Sequence, residues 1–427
     1  VDLSPWSAIW LITCCLYRGC GIEVEVEGPS SLPTTVRLSA VDSVCRLGSP
    51  PGRFVNPDDL RPGVQPIRRG GNQNPCKPEK LDAAELARVT VGEQMPAPRV
   101  LITPTPFAAV DQRPLEMLSA LGVDCLVNPF EAKPTEEQML DLVNDVDAII
   151  AGTEPITDRV MANAPRLRLI SRLGVGLDSV DLDAARRRSI AVSYTPAAPV
   201  PAVAEMTIGI MLVLLRSLHV SNARMHDGEW CWIIGRRISE VTIGVVGVGP
   251  IGTMVLRYLS ALGVSDVLLH DVNPDPCLAD NVPGLAFEWV TLDRLLAESD
   301  VVTLHLPLTE STKNLVGFDE LMSMKDDAVI INTSRGGILN EDNLYEVLAR
   351  GHLSGAGIDV FEHEPYDGPL ATVERCLLTS HMASASVGCR VQMEIEATEE
   401  VIRLLTDQPL QGLVPESVFP SRRAEGR

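Results

Sequence analysis

The sequence predicts an α/β protein with two parallel-sheet domains, Rossmann-like and flavodoxin-like, behind a largely disordered N-terminal extension. Three observations carry this reading. From Arg99 onward, short apolar runs alternate with amphipathic helical patterns, and such alternation builds a parallel sheet covered by helices. One of those runs, Val241 to Val246, leads straight into Gly247-Val-Gly-Pro-Ile-Gly252, a strand, turn and helix start in sequence. A final helical pattern, Met393 to Leu405, follows the last strand and returns towards the first domain. The expected organisation is therefore an extension over 1–98, a first domain over 99–201 and 383–427, and a second domain over 202–382 inserted into it.

Composition limits the functions. The 427 residues leave room for two or three substantial cores, and a net charge of −21 argues against a nucleic-acid partner. An anionic substrate has to be drawn in by local cations. The ten cysteines include no CxxC pair, and the first histidine is His219, so no metal site is expected. Scattered reduced thiols point to the cytoplasm. Trp6 to Tyr17 is apolar but too short to span a bilayer, and it lacks a basic segment before it, so no membrane partner is expected.

The first 98 residues hold 12 of the 32 prolines and show no sustained period of 2 or 3.6. A short helix is expected from Leu81 to Val89. The chain starts with Val and has no Met before Met95, so the extension reads as upstream sequence continued from a misplaced start.

In the first domain the expected strands are Arg99–Thr103, Asp124–Val127, Ala148–Ala151, Leu169–Ile170 and Ile190–Ser193. The helices between them begin near Glu116, Thr135 and Ile156. Thr135, followed by Glu136 and Glu137, is a helix N-cap. In Arg172-Leu-Gly-Val-Gly-Leu-Asp178, two glycines allow successive N–H groups to face a cleft, a nest suited to a carboxylate; a plain turn is equally open. Pro196 to Pro201 reads as a hinge before a long apolar helix from Val203 to Leu218.

In the second domain each part of Val241–Asp271 suits a dinucleotide. Gly247 permits the turn, Gly249 lets the backbone approach a pyrophosphate, and Gly252 lets the helix that starts with Pro250 and Ile251 pack against the strand. The free N–H groups of that helix face the phosphates. Asp271, 19 residues beyond Gly252, stands where an acid bonds ribose hydroxyls and repels a 2′-phosphate. Val272-Asn273-Pro274 adds no cation, which favours NAD over NADP. Later strands are expected at Leu285–Phe287, Val301–Leu306, Ala328–Asn332, Gly357–Val360 and Leu377–Thr379, with His305 packed inside the second of these.

Arg335, Glu364 and His381 each follow one of the last three strands, and catalytic groups gather at that end of a parallel sheet. The Arg335 fork suits a carboxylate, His381 is the natural acid–base, and Glu364 can orient it. Read singly, each has a structural alternative: an ion-pair arginine, a packed histidine, a loop carboxylate. His363 competes with Glu364 as the partner.

From Arg99 to about Pro415 the sequence resembles the D-isomer-specific 2-hydroxyacid dehydrogenases, especially their D-3-phosphoglycerate dehydrogenase branch. The resemblance rests on Gly174-Val-Gly176, Ala202-Val-Ala-Glu205, Gly247 to Gly252, Leu304-His-Leu-Pro-Leu308, Asn332 to Gly336, Asp359-Val-Phe361, Glu364-Pro365 and His381 with Ala383-Ser384. It implies an NAD-dependent enzyme that interconverts a small anionic D-2-hydroxy acid and its 2-oxo acid, and a homodimer. It also implies that Arg335, Val175 and Gly176 hold the substrate while His381, supported by Glu364, moves the proton beside the nicotinamide. Asp359 and the Thr333 backbone are expected at the carboxamide, and Leu306-Pro307 near the adenine. Phosphoglycerate enzymes of this family commonly carry Arg-Ser after the third strand, where this chain has Ala151-Gly152 followed by Thr153-Glu154. An NAD(H)-sensing corepressor-like protein on the same scaffold is the competing reading.

Overall fold

The computed structural model describes residues 97–130 and 132–419, together with two short strands nearer the N-terminus. The chain divides into two compact units, 1–90 and 91–427. Of the first, only β1 (Ile22–Glu25) and β2 (Arg37–Ala40) are described, paired antiparallel with Ile22 opposite Ala40. The rest of the extension, including the helix expected at Leu81–Val89, lies outside the described residues.

The second unit holds two all-parallel sheets. The smaller contains β3 (Arg99–Ile102), β4 (Asp124–Val127), β5 (Ala148–Ala151), β6 (Leu169–Arg172) and β7 (Ala191–Tyr194), in the order β4-β3-β5-β6-β7. The larger contains β8 (Ile243–Val246), β9 (Val267–His270), β10 (Glu288–Trp289), β11 (Val301–Leu304), β12 (Val329–Asn332), β13 (Gly355–Ile358) and β14 (Cys376–Leu378). Its order is β10-β9-β8-β11-β12-β13-β14. Both orders reverse direction once, between β3 and β5 and between β8 and β11. Ligands of open parallel sheets bind at the carboxyl ends of the strands flanking such a reversal.

Burial on both faces explains the strand sequences. β5, β8, β11 and β12 are buried throughout, and their residues are nearly all aliphatic. The helix Glu136–Leu142 starts as its sequence requires: Gln138 N–H donates to the Thr135 hydroxyl and the Gln138 side chain accepts from Thr135 N–H. Two helices tie the sheets together. Pro199–Leu215 packs on β12 and β13, where a Cβ on Gly357 would lie 2.3 Å from Ile210 Cγ2. Val387–Leu405 returns to the smaller sheet and buries Met393, Ala397 and Val401 against Val100, Ile102 and Ile150. Ser171 Oγ also donates to the Ala397 carbonyl there, at 2.9 Å.

Several expectations need correction. The strand expected at Leu285–Phe287 forms instead at Glu288–Trp289, because Glu288 and Trp289 pair with Leu268 and Leu269 while Leu285 packs into the core below. The apolar helix begins at Pro199, inside the expected hinge, because proline is accepted in a first helical turn. It stops at Leu215, where Ser217 turns left-handed (φ 47°) and a separate helix, Leu218–His226, sets off. β11 ends at Leu304, so His305 lies past the strand. Among the described residues no single helix is long and apolar enough to cross a membrane.

Candidate active site

Residues from the carboxyl ends of both sheets line one cleft of about 910 Å³. From the larger sheet come Gly249, Pro250, Ile251, Leu306, Pro307, Thr333, Arg335, Asp359, Glu364 and His381. From the smaller come Thr103, Gly152, Glu154, Arg172, Val175, Gly176 and Asp178.

The glycine turn fits a dinucleotide on its own geometry. Gly247 has φ +90°, and a Cβ there would meet the His305 carbonyl oxygen at 2.3 Å. At Gly252 a Cβ would lie 2.2 Å from the Gly247 carbonyl oxygen, so the turn and the helix touch through bare backbone. Around Gly249 a Cβ would meet nothing within 4 Å. That open space sits at the first turn of Pro250–Ala261, whose leading N–H groups have no partner within the helix. Asp271 stands at the end of β9. Its Oδ2 accepts from Val248 N–H and its Oδ1 from Asn273 N–H, both at 2.8 Å, so the carboxylate is fixed beside the turn.

The three late-strand residues converge, with His363 outside the pair. His381 Nδ1 lies 3.0 and 2.9 Å from the two Glu364 oxygens, so Glu364 holds the ring edge-on and leaves Nε2 for another partner. Burial pushes the Glu364 carboxyl up, but the hydrogen bond and charge of His381, the Phe361 N–H and the Lys133 charge together hold it below its usual value. His381 itself is left-handed, with φ +51°. The fully buried Asp359 maintains that turn. Its Oδ1 accepts from Thr379 Oγ1 (2.6 Å) and Met382 N–H (2.9 Å), its Oδ2 from Ala383 N–H (2.9 Å), and its carbonyl from His381 N–H (2.7 Å). Asp359 thus braces the histidine turn, a role sequence reading did not assign it. Thr333 Oγ1 is 2.9 Å from Thr207 Oγ1 on the Pro199–Leu215 helix.

Arg335 bridges the sheets. Its Nε donates to Asp178 Oδ2 at 2.7 Å, Nη1 donates to the Ser334 carbonyl at 2.6 Å, and a Cβ on Gly176 would collide with Nη2 at 1.9 Å. A side chain at 176 would displace the guanidinium from this position. Val175, the other expected substrate contact, is 37% exposed in the same loop.

Sequence reading missed four contributors. Asp178, the Arg335 partner, was hidden because the two are 157 residues apart. His305 is partly buried in the cleft wall, where desolvation of the ring pushes its imidazole down to about 4 and keeps it neutral. Its Nε2 meets Thr303 Oγ1 at 3.0 Å. Glu154, 1% exposed, accepts from Gly152 N–H at 2.9 Å and from the Thr103 hydroxyl. Arg172, 7% exposed at the end of β6, was the legible one, since an arginine closing a buried strand needs a reason to be there. Among the described residues, no group of histidines, cysteines and carboxylates is arranged to hold a metal.

Comparison with known proteins agrees with this geometry. Residues 208–383 match the family model described as the NAD-binding domain of D-isomer-specific 2-hydroxyacid dehydrogenases. A glyoxylate reductase of Thermofilum pendens is 34% identical over 320 residues, covering 72% of this chain and 94% of that one. The D-3-phosphoglycerate dehydrogenase of Methanocaldococcus jannaschii is 31% identical over 68% of this chain, though the match spans 55% of that longer protein. The crystal structure of D-lactate dehydrogenase from Aquifex aeolicus, complexed with NAD and lactic acid, superposes with a TM-score of 0.64 at 26% identity, over 72% of this chain and 96% of that one. The chain is a member of the D-isomer-specific 2-hydroxyacid dehydrogenase family.

Proposed function

We propose that the larger-sheet domain (202–382) binds NAD, that the smaller-sheet domain (99–201 with 383–427) holds the substrate, and that the protein interconverts a small D-2-hydroxy acid and its 2-oxo acid. The observation that carries this reading is the Glu364–His381 pair, at 2.9 and 3.0 Å, sharing a cleft with Arg335 and the glycine turn. NAD supplies or accepts the hydride when bound. Every other step belongs to side chains of this chain.

Gly247, Gly249, Pro250, Ile251 and Gly252 receive the pyrophosphate, Asp271 the ribose, and Leu306-Pro307 the adenine side. Thr333 and Asp359 stand on the nicotinamide side. Arg335, its fork already oriented by Asp178, grips the substrate carboxylate with the Val175-Gly176 backbone beside it. In reduction, His381 Nε2 donates a proton to the oxygen of the carbonyl; in oxidation it takes that proton back from the hydroxyl. Glu364 holds Nδ1–H and stabilises the positive ring, as a carboxylate does for a general-base histidine.

A homodimer belongs to the same proposal. Trp230, Trp232 and Ile234 are 86%, 80% and 80% exposed on the segment after Leu218–His226, a helix with no buried residue. So much clustered aromatic surface marks a contact with another chain. Light scattering after size exclusion is expected to give twice the chain mass. Placement in the cytoplasm is part of the same reading, on the strength of cysteines scattered without a pairing pattern.

The direct test is loss of NADH absorbance with a panel of short 2-oxo acids. Turnover that falls at least 100-fold in His381→Gln supports the proposal. No turnover with any acid, alongside tight NADH binding, would overturn it in favour of a dinucleotide sensor.

A further inference from the structure

Arg335 and the Glu364–His381 pair come from different loops of the larger sheet, yet a 2-oxo acid carries its carboxylate and its carbonyl on adjacent carbons. The two arms of the site must keep one separation, and an error of about 1 Å costs on the order of 100-fold in rate. No hydrogen bond among the described residues joins Arg335 to Glu364 or His381, so something else sets the distance.

The Arg335 arm is stiff as far as Gly336. Asn332, 2% exposed at the end of β12, folds its side chain over the turn. Its Nδ2 donates to the Arg335 carbonyl at 2.8 Å, and its Oδ1 accepts from Ser334 N–H at 3.1 Å and from the Ser334 hydroxyl at 2.7 Å. Gly336 then runs against the loop that follows β13. A Cβ there would overlap the Phe361 carbonyl group and the Glu362 nitrogen, so the peptide between Phe361 and Glu362 lies directly on bare backbone.

The same peptide is also held by its N–H. Glu362 N–H donates at 2.6 Å to Oε1 of Glu341, which opens the helix Glu341–Ala349. An acid in a first helical turn is ordinary, but a bond from it to a loop outside the helix is not explained by the helix. Glu341 is not among the residues lining the cleft, and it makes no ion pair among the described residues. Burial pushes its carboxyl up, and the Glu362 N–H is the first of the groups that draw it back.

This peptide connects to the acid–base pair through Phe361. Phe361 N–H donates at 3.1 Å to Glu364 Oε1, the oxygen that lies 3.0 Å from His381 Nδ1. The Phe361 ring, 8% exposed, stacks on Tyr366 with 4.3 Å between centroids, which fixes the residue in its place. One peptide unit thus rests on the arginine turn, is anchored by Glu341, and belongs to the residue that orients Glu364.

We infer that Glu341 and Gly336 are positioning residues: together they clamp the Phe361–Glu362 peptide and so fix the separation between the guanidinium that holds the substrate carboxylate and the imidazole that carries the proton. Glu341 does this from outside the cleft. The inference rests on the dehydrogenase reading above and adds two residues to its machinery.

Three variants test it, through steady-state kinetics with NADH and the best acid of the 2-oxo acid panel, and fluorescence titration with NADH and with oxalate. Glu341→Ala removes the anchor without placing an atom in the cleft. It should lower kcat about 10-fold while KM and both affinities stay within about 3-fold of native. Gly336→Ala drives the peptide off the arginine turn and should lower kcat about 100-fold with the same constancy elsewhere. Asn332→Asp keeps the acceptor for Ser334 but sets an oxygen against the Arg335 carbonyl. It loosens the grip instead of the spacing, so KM and the oxalate dissociation constant should rise about 10-fold, with kcat changing less. A readout without turnover is hydrogen exchange at the Phe361 amide, expected to quicken at least ~10-fold in Glu341→Ala although that amide keeps its own acceptor. A merely structural role would lower the melting temperature and leave kcat in place. Native kcat in Glu341→Ala, a loss carried by KM or by NADH affinity, or unchanged exchange at Phe361 would overturn the inference. If Gly336→Ala does not fold, Glu341→Ala decides it. No NADH oxidation by the native protein with any acid would instead bring down the dehydrogenase reading, and the Phe361 exchange would then decide the clamp alone.

Discussion

Gly249→Ala separates a glycine kept for a ligand from one kept for packing. Gly249 sits at φ −73° and ψ −163°, extended backbone that alanine adopts without strain, and its Cβ would touch nothing within 4 Å. In the unliganded protein the substitution should therefore be close to neutral. The gain from a stiffer unfolded chain, about 0.4–1 kcal/mol, is offset by the poorer helix-capping of alanine. A melting change within about 2 °C follows for a domain this large. With dinucleotide present, the methyl occupies the space through which the backbone meets the pyrophosphate. Losing one charge-assisted hydrogen bond costs about 1.5–3 kcal/mol, or a roughly 10- to 100-fold weaker NADH affinity. Gly252→Ala should behave in the opposite way. Its Cβ would press on the Gly247 carbonyl oxygen at 2.2 Å, an atom that cannot swing aside, so about 1–3 kcal/mol of stability is lost before any ligand is added. Fluorescence titration with NADH and thermal melting, run on both variants, read the two effects. NADH affinity within 3-fold of native for Gly249→Ala, or an unchanged melting curve for Gly252→Ala, would refute the reasoning.

Three further outcomes follow from the titratable groups in the cleft. Glu364→Gln should lower kcat/KM about 100-fold with little change in KM, since the imidazole loses its orienting carboxylate but not the substrate its grip; an equal loss through KM alone would count against it. The depressed Glu364 pKa also has a stability sign: the native carboxylate binds its proton less readily than the unfolded one, so its contribution is present above about pH 4.3 and lost as pH falls through the native value. The melting gap between native and Glu364→Gln protein should close on acidification through that window. His305 acts nearer neutrality. Its native pKa of about 4 lies below the ordinary 6.5, so the unfolded state binds a proton first and stability declines from pH 6.5 downward. About 2.5 units at 1.36 kcal/mol each gives about 3 kcal/mol by pH 4, and about 2 by pH 5. His305→Asn should melt with a flatter pH dependence over pH 5–7; a slope equal to native would show that His305 contributes nothing to it.

The parts of this fold legible in sequence are those set by local pattern. The helix N-cap at Thr135, the Gly247–Gly252 turn with its acid at Asp271, and the placement of Arg335, Glu364 and His381 after successive strands all follow from spacing along the chain. What escaped depends on partners far away. Asp178 meets Arg335 only because two sheets face each other, and nothing near either residue announces the pair. The Leu285–Phe287 error has the same origin, since an apolar run there serves the core while its neighbours Glu288 and Trp289 complete the sheet edge. Asp359 reads from sequence as a cofactor contact; its bracing of the histidine turn, through three hydrogen bonds accepted by its side chain, shows up only once Thr379, Met382 and Ala383 have folded over it.

The Arg335–Asp178 bond joins a residue beyond β12 to one beyond β6. A carboxylate ligand that takes hold of this guanidinium must share it with Asp178, so filling the site and setting the distance between the two halves become a single event. If Arg335 takes the substrate as proposed, capture would double as a latch, and Asp178→Asn is the change that would loosen it without touching a residue of the histidine turn.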